Sequence, residues 1–167
     1  MIWSILWIKS TDNNVMNNKT NNYEQLNAVY LRAILIFIGI SGCFSVLFGA
    51  WFAHAGVNLS NEVQSRITHA LQYQFFHTLA LLAIAVWWKG LPNENKPIKA
   101  LCFSALFFSL GIMCFSGSLY IKTFFDFAAI GRLAPIGGMS FALGWLCIGW
   151  AGINISVPNS STDKDRL

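Results

Sequence analysis

The 167-residue chain has an apolar composition that excludes most soluble folds. It is 55% hydrophobic and 11% charged, with a formal net charge of +4, whereas an ordinary soluble domain carries about 25% charged residues. The basic residues lie singly in the loops and form no clustered basic face, which argues against nucleic-acid binding and leaves lipid headgroups as the counter-charge. Length and composition indicate one membrane domain.

Four mostly apolar stretches follow one another along the chain, at about residues 31–53, 67–88, 98–121 and 131–153. Each has roughly the 20 residues that a helix needs to cross a hydrocarbon core of about 30 Å. We therefore predict an all-α membrane protein, an antiparallel four-helix transmembrane bundle. A soluble all-α protein would need a polar outer layer, and a β-barrel would need alternating strands; the chain contains neither pattern.

Polar segments flank this membrane domain, which we place at residues 30–153. Residues 1–29 form an Asn-rich extension containing "NNVMNNKTNN", which we predict to be disordered. Translation starting at Met16 is the alternative, because the opening "MIWSILWI" fits neither a signal peptide nor a span. Residues 154–167 form a polar tail.

Basic residues are distributed unequally between the two sides of the predicted bundle. The side holding the termini and the connector between spans 2 and 3 has eight Lys or Arg residues: Lys9, Lys19, Arg32, Lys89, Lys96, Lys99, Lys164 and Arg166. The other side has three: Arg66, Lys122 and Arg132. Because basic loops are retained inside, we predict that both termini are cytoplasmic.

Unusual polar residues gather at the opposite, outer end. Span 1 ends "FGAWFAH", span 2 begins "HALQYQFFH", span 3 ends "FSGSLY" and span 4 begins "APIGG". Residues 61–88 can run as one helix, and at about 100° per residue a stripe of it falls within an arc of about 80° and is expected to face protein or water. Its members are Glu62, Arg66, His69, Tyr73 and His77. Gln72 lies on the flank of this stripe, and Gln74 points away from the centre of the stripe, where it would snorkel or meet a second partner.

Small residues at helical spacing predict close packing of helix backbones. They are Ser45, Gly49 and Ala53 in span 1, and Gly138 with Ala142 and Ser140 with Gly144 in span 4. "APIGG" suits an irregular helix start, with Pro135 in the first turn and Gly137 and Gly138 allowing contact. The four cysteines, Cys43, Cys102, Cys114 and Cys147, fall inside spans without metal-site spacing and are interpreted as buried small apolar residues.

The segments "ISGCFSVLFGAWFAH", "LQYQFFHTLALL", "FSGSLY" and "PIGGMSFALGW" occur in the order seen in the YgdD-like family of small inner-membrane proteins. The resemblance covers about residues 33–152 and implies a four-span protein integral to the bacterial inner (plasma) membrane. Residues matching the family pattern form a candidate polar cluster: His54, Gln72, Tyr73, His77, Ser116, Ser118 and Tyr120. Pro135, Gly137 and Gly138 also match, whereas His69 departs from the pattern.

Three functions are compatible with these residues. The first is a non-enzymatic structural or interacting membrane component, whose polar cluster joins helices and whose partners are the lipid bilayer, other membrane proteins or further copies of the chain. The second is transport or proton-linked exchange by an intramembrane histidine. The third is an enzyme or a carrier of haem or metal on His54 and His77. No set of nucleophile, base and orienting acid is visible, so we predict no enzyme, no cofactor and no metal.

Overall fold

The structure is a computed structural model that describes residues 2–90, 98–125 and 127–154. Its helices are α1 (Ile2–Ala55), α2 (Asn61–Gly90), α3 (Ile98–Gly111), α4 (Ser118–Phe125) and α5 (Leu133–Ile153). Short 3-10 turns follow α1 at Gly56–Asn58 and precede α5 at Ala128–Arg132. The described residues contain no strand. The connector at 91–97 and the predicted tail beyond residue 154 lie outside them.

Among the described residues, four helical segments are long and apolar enough to cross a membrane. They are Gln25–Asn58, Asn61–Gly90, Lys99–Phe125 and Ala128–Ile153. The predicted four-span bundle is confirmed, and every span extends a few residues past at least one of its predicted ends. The first span is the least covered of the four, with 17% of its apolar window buried against 39% for the second and third.

The first helix is longer than the sequence suggested. We expected residues 1–29 to be disordered, whereas α1 is continuous from Ile2. No Pro or Gly occurs before Gly39, so nothing interrupts the propagation of a helix from the apolar span into the Asn-rich segment. The chain divides into two compact units, Met1–Ile36 and Phe37–Leu167, and all the contacts described below lie within the second.

The start of α2 is fixed by its own side chains. Ser60 is the cap, because its Oγ accepts a hydrogen bond from the backbone N–H of Val63 at 3.4 Å. Gln64 Nε2 donates to the backbone carbonyl of Leu59 at 2.8 Å. One turn further, Arg66 pairs with Glu62 at 2.6 Å on the exposed surface. These bonds fix where α2 begins, with residues 56–60 between it and α1.

The third span is not the single regular helix that its sequence predicts. A π-helical segment at Ile112–Gly117 separates α3 from α4. The wider turn changes the rotation of α4 relative to α3, as expected for an inserted π-turn. Within it, Ser116 Oγ donates to the carbonyl of Ala70 on α2 at 2.8 Å. The π-segment is thereby fastened to the neighbouring span.

The third and fourth spans are in close contact where a phenylalanine ring of one span lies against a glycine of the other. A Cβ added at Gly144 would lie 2.5 Å from the Phe108 ring, and one at Gly111 would lie 2.4 Å from the Phe141 ring. Ser104 Oγ also donates to the Gly144 carbonyl at 2.9 Å. Both spans therefore approach more closely than larger residues would permit.

The cysteines are less buried than predicted. Cys43 is exposed on its span, and Cys102, Cys114 and Cys147 are partly buried; all four are free thiols. A thiol is apolar enough to lie against lipid, so a small hydrophobe in a span does not require a protein neighbour. The interpretation as small apolar residues still applies, but that of full burial is corrected.

Candidate polar site within the membrane domain

Gln74 is the centre of the buried polar contacts, although the sequence placed it away from the polar stripe of span 2. Its side chain is only 5% exposed. Its Nε2 donates to the Ser41 carbonyl and to Ser41 Oγ, both at 3.2 Å, while its Oε1 accepts from the Tyr120 hydroxyl at 3.0 Å. Of the two expectations for Gln74, snorkelling or a second partner, the structure shows partners on two other spans.

The hydrogen bonds around Gln74 close into a ring whose direction is determined. Thr78 Oγ1 donates its only proton to the backbone carbonyl of Gln74 at 2.7 Å. The 2.7 Å bond between the Ser41 and Thr78 hydroxyls must therefore run from Ser41 to Thr78. Ser41 in turn accepts from Gln74, which completes the ring. This polar ring, defined as Ser41, Gln74 and Thr78 with Tyr120 attached, links α1, α2 and α4.

Aromatic side chains surround Tyr120, the residue attached to the polar ring. The Tyr120 ring contacts Phe44 and Phe48 of α1 edge-on, with centroids 5.5 and 5.1 Å apart. Phe48 also meets Phe124 of α4 at 5.8 Å. Because α1 is the least covered span, these contacts and the polar ring are its main attachments among the described residues of the second unit.

His77 contacts α5 and uses both ring nitrogens. Its Nδ1 is 2.7 Å from the Tyr73 carbonyl, which can only accept, so Nδ1 carries the proton. Its Nε2 is 3.3 Å from Trp145 Nε1, which can only donate, so Nε2 is the acceptor. The imidazole also stacks on Phe141, with centroids 3.6 Å apart. The contacts specify a neutral histidine that joins α2 to α5.

The other predicted cluster residues fall into separate places. Tyr73 is 42% exposed and its ring packs on Phe115 at 4.6 Å. Ser116 is bonded to α2, whereas Ser118 is buried and donates locally to the Phe115 carbonyl at 2.9 Å. His54 and Gln72 are exposed. Of these seven residues, the structure brings Tyr73 and His77 together, with ring centroids 5.9 Å apart, and Tyr120 joins the polar ring.

The small residues predicted to pack against other helices differ in how closely neighbouring atoms approach them. At Gly137 an added Cβ would lie 2.4 Å from the backbone nitrogen of Phe115, so this position is in direct helix contact. Gly144 faces Phe108, as described above. Gly49 and Gly138 have no atom within 4 Å of such a Cβ, and Ala53 and Pro135 are exposed. Ser45 is buried and donates to the Ser41 carbonyl at 2.9 Å.

Sequence reasoning missed Ser41, Thr78 and Trp145 as contact residues and gave Gln74 too little weight. A signal for the buried face of α2 was present. Small or hydroxyl residues recur around Gln74 at helical spacing, at Ala70, Thr78 and Ala85. Such residues allow neighbouring spans to approach, whereas the polar stripe that guided the prediction mixes buried and exposed positions.

Among the described residues, no three His, Cys, Asp or Glu side chains lie close enough to hold a metal ion. The two histidines considered as haem or metal ligands have different surroundings. His54 is exposed, whereas both ring nitrogens of His77 are hydrogen-bonded to protein groups. The site is arranged for contacts between spans.

Comparison with known proteins agrees with this architecture. The family described as "Protein of unknown function (DUF423)" matches residues 48–138. A "UPF0382 membrane protein" of Haemophilus influenzae is 37% identical over 117 residues, covering 70% of this chain and 90% of the relative. The "UPF0382 inner membrane protein YgdD" of Escherichia coli K12 is 36% identical over 115 residues, covering 68% of this chain and 84% of that protein.

The similarity extends to Gram-positive bacteria. The "UPF0382 membrane protein YwdK" of Bacillus subtilis is 27% identical over 119 residues, covering 71% of this chain and 94% of the relative. No solved structure matches the chain significantly. The family model matches more than half of the chain, and the sequence identity extends over most of the length of the relatives. Together with the four apolar helices, these matches show that this four-span membrane protein belongs to the DUF423 (UPF0382) family.

Proposed function

We propose that this chain is a non-enzymatic structural or interacting component of the bacterial inner membrane, in which polar side chains join the four spans. One observation carries the proposal: within the described residues, every buried side-chain nitrogen or oxygen has a hydrogen-bond partner. An unpaired polar group in lipid costs several kcal/mol. A network with all its members satisfied stabilises the bundle and leaves no buried group free to bind a substrate.

The contacts of His77 argue against proton-linked exchange. A proton added at Nε2 would remove the acceptor that Trp145 uses. The predicted spans contain no Asp or Glu that could relay a proton to this histidine or stabilise its charged form. His77 is also only 7% exposed. These features support a role for His77 in holding α2 against α5.

Trp145→Phe tests this role. The substitution keeps an aromatic ring but removes the donor to His77 Nε2, and we expect the free energy of unfolding to fall by about 1 kcal/mol. The measurement is thermal unfolding of the purified protein in detergent. Trp150→Phe is the matched control on the same helix, because Trp150 is 66% exposed and its indole N–H donates no hydrogen bond to the described residues.

Proton flux distinguishes the two functions. Proteoliposomes holding the wild-type chain should dissipate a pH gradient no faster than empty liposomes. The proposal is contradicted if the wild type conducts protons, Trp145→Phe or His77→Ala abolishes that flux, and the stability of either variant is unchanged. In that outcome the histidine would serve transport.

We also infer that both termini lie in the cytoplasm. Eight of the eleven Lys and Arg residues lie on the side of the termini and the connector between the second and third spans, and basic residues accumulate in cytoplasmic loops. The name of the Escherichia coli relative supports the choice of the inner membrane. A reporter enzyme that is active only outside the cytoplasm, fused after Leu167, should be inactive. Activity of that fusion would reverse the topology.

A further inference from the structure

Gln72 is a polar residue that the bundle leaves facing outward on α2. At about 100° per residue it lies 180° around the helix from Leu81, which is fully buried. Phe76 and Leu79 share its outward face and are 64% and 47% exposed. Gln72 is therefore at the middle of the face that α2 presents to its surroundings, and the other spans do not cover it.

The depth of Gln72 makes this exposure costly. At about 1.5 Å per residue it lies roughly 8 Å along the helix axis from residue 67, where the predicted second span begins, and so within the hydrocarbon core. Its primary amide has two N–H donors and a carbonyl acceptor, and none of them is bonded to the described residues. Hydrocarbon offers no partner for these groups, so a polar group from outside the bundle is needed.

We propose that a second copy of the chain covers this face, in a two-fold symmetric dimer in which α2 packs against α2 and the two Gln72 amides hydrogen-bond to each other. On a two-fold axis a residue meets its own counterpart. A primary amide suits this position because its N–H groups can donate to the partner's carbonyl while its carbonyl accepts in return. An acyl chain has neither group.

The surface beside Gln72 provides room for such a partner. A groove of ≈440 Å³ lies between α1 and α2, lined in part by Ser45, Gly49 and Gln72 itself. Its floor at Gly49 is open, with no atom within 4 Å of an added Cβ. Phe75 and Phe76 border the groove, so the rings of one copy have a recess to enter on the other. The dimer goes beyond the proposed function, because the spans of each bundle are joined without it.

The test measures dimerisation of the full chain in lipid vesicles by single-molecule photobleaching over a range of protein-to-lipid ratios. We expect the wild type to dimerise and Gln72→Leu to raise the dissociation constant about tenfold, as for the loss of two interhelical hydrogen bonds. Gln72→Asn, which keeps the amide, should retain more of the dimer than Gln72→Glu, whose carboxylate lacks the N–H donors. Unfolding of monomeric Gln72→Leu in detergent should match the wild type, which shows that the fold is intact.

Three outcomes would overturn the dimer. The wild type could remain monomeric at every ratio, or Gln72→Leu could dimerise as well as the wild type. Alternatively, a monomeric wild type could carry a bound lipid, identified by native mass spectrometry, that Gln72→Leu loses. This last result would assign the face to a polar lipid.

Discussion

Gly137→Ala should destabilise the bundle by about 3 kcal/mol, at the upper end of the range for overpacking a core. The added methyl group would lie 2.4 Å from the Phe115 nitrogen, 2.7 Å from its Cβ and 2.8 Å from its Cα. These are mainly backbone atoms, so no side-chain rotation relieves the clash. The π-segment that contains Phe115 is also held on its other side by the bond from Ser116 to the Ala70 carbonyl. Thermal unfolding in detergent measures the loss.

Gly138→Ala is the matched control for this change. Position 138 has no atom within 4 Å of an added Cβ, and alanine is favoured over glycine in a helix by about 1 kcal/mol. The variant should be as stable as the wild type or slightly more so. Equal losses in the two variants would mean that α5 does not approach Phe115 as the structure places it.

Gln74→Leu should lower the free energy of unfolding by about 2 to 3 kcal/mol, because removing one partner leaves buried groups unsatisfied. Leucine has a similar size but cannot donate to Ser41 or accept from Tyr120, which Gln74 holds at 3.2 and 3.0 Å. The change therefore weakens the connections of α2 to both α1 and α4. Chemical or thermal unfolding in detergent provides the measurement.

A double-mutant cycle separates the network from the loss of packing. Tyr120→Phe removes only the hydroxyl, and we expect it to cost about 1 kcal/mol. If the two residues interact as described, combining it with Gln74→Leu should add less than the sum of the single effects. Strict additivity would show that Tyr120 and Gln74 are not bonded, and the polar ring would then end at Ser41 and Thr78.

These variants concern the attachment of individual spans. The third and fourth spans are joined through Gly111 and Gly144, and a methyl group added at either position would clash with the phenylalanine ring that lies against it. The first span has less protein around it and depends on the polar ring and on the aromatic contacts of Tyr120. Substitutions at Ser41 or Tyr120 should therefore loosen α1 before they affect the packing of α3 against α5.

The sequence by itself determined the number of spans, their approximate limits and the membership of the family. Span length and hydropathy depend on consecutive residues, so they do not require knowledge of neighbours. The Asn-rich extension was less predictable, since its composition disfavours a folded core but contains nothing that stops a helix begun in the adjoining span.

Only the tertiary structure decided which side chains meet. Gln72 and Gln74 are both glutamines in one apolar helix, but the rotation of α2 places one outward and the other against Ser41 and Tyr120. Gly137 and Gly138 differ in the same way, because only one faces Phe115. The π-turn at Ile112–Gly117 shifts the register of α4, and helix-period arguments that assume a regular third span cannot anticipate this shift. Contacts between spans depend on how each helix is rotated and how deep each residue lies, and both are determined jointly by residues that are far apart in the chain.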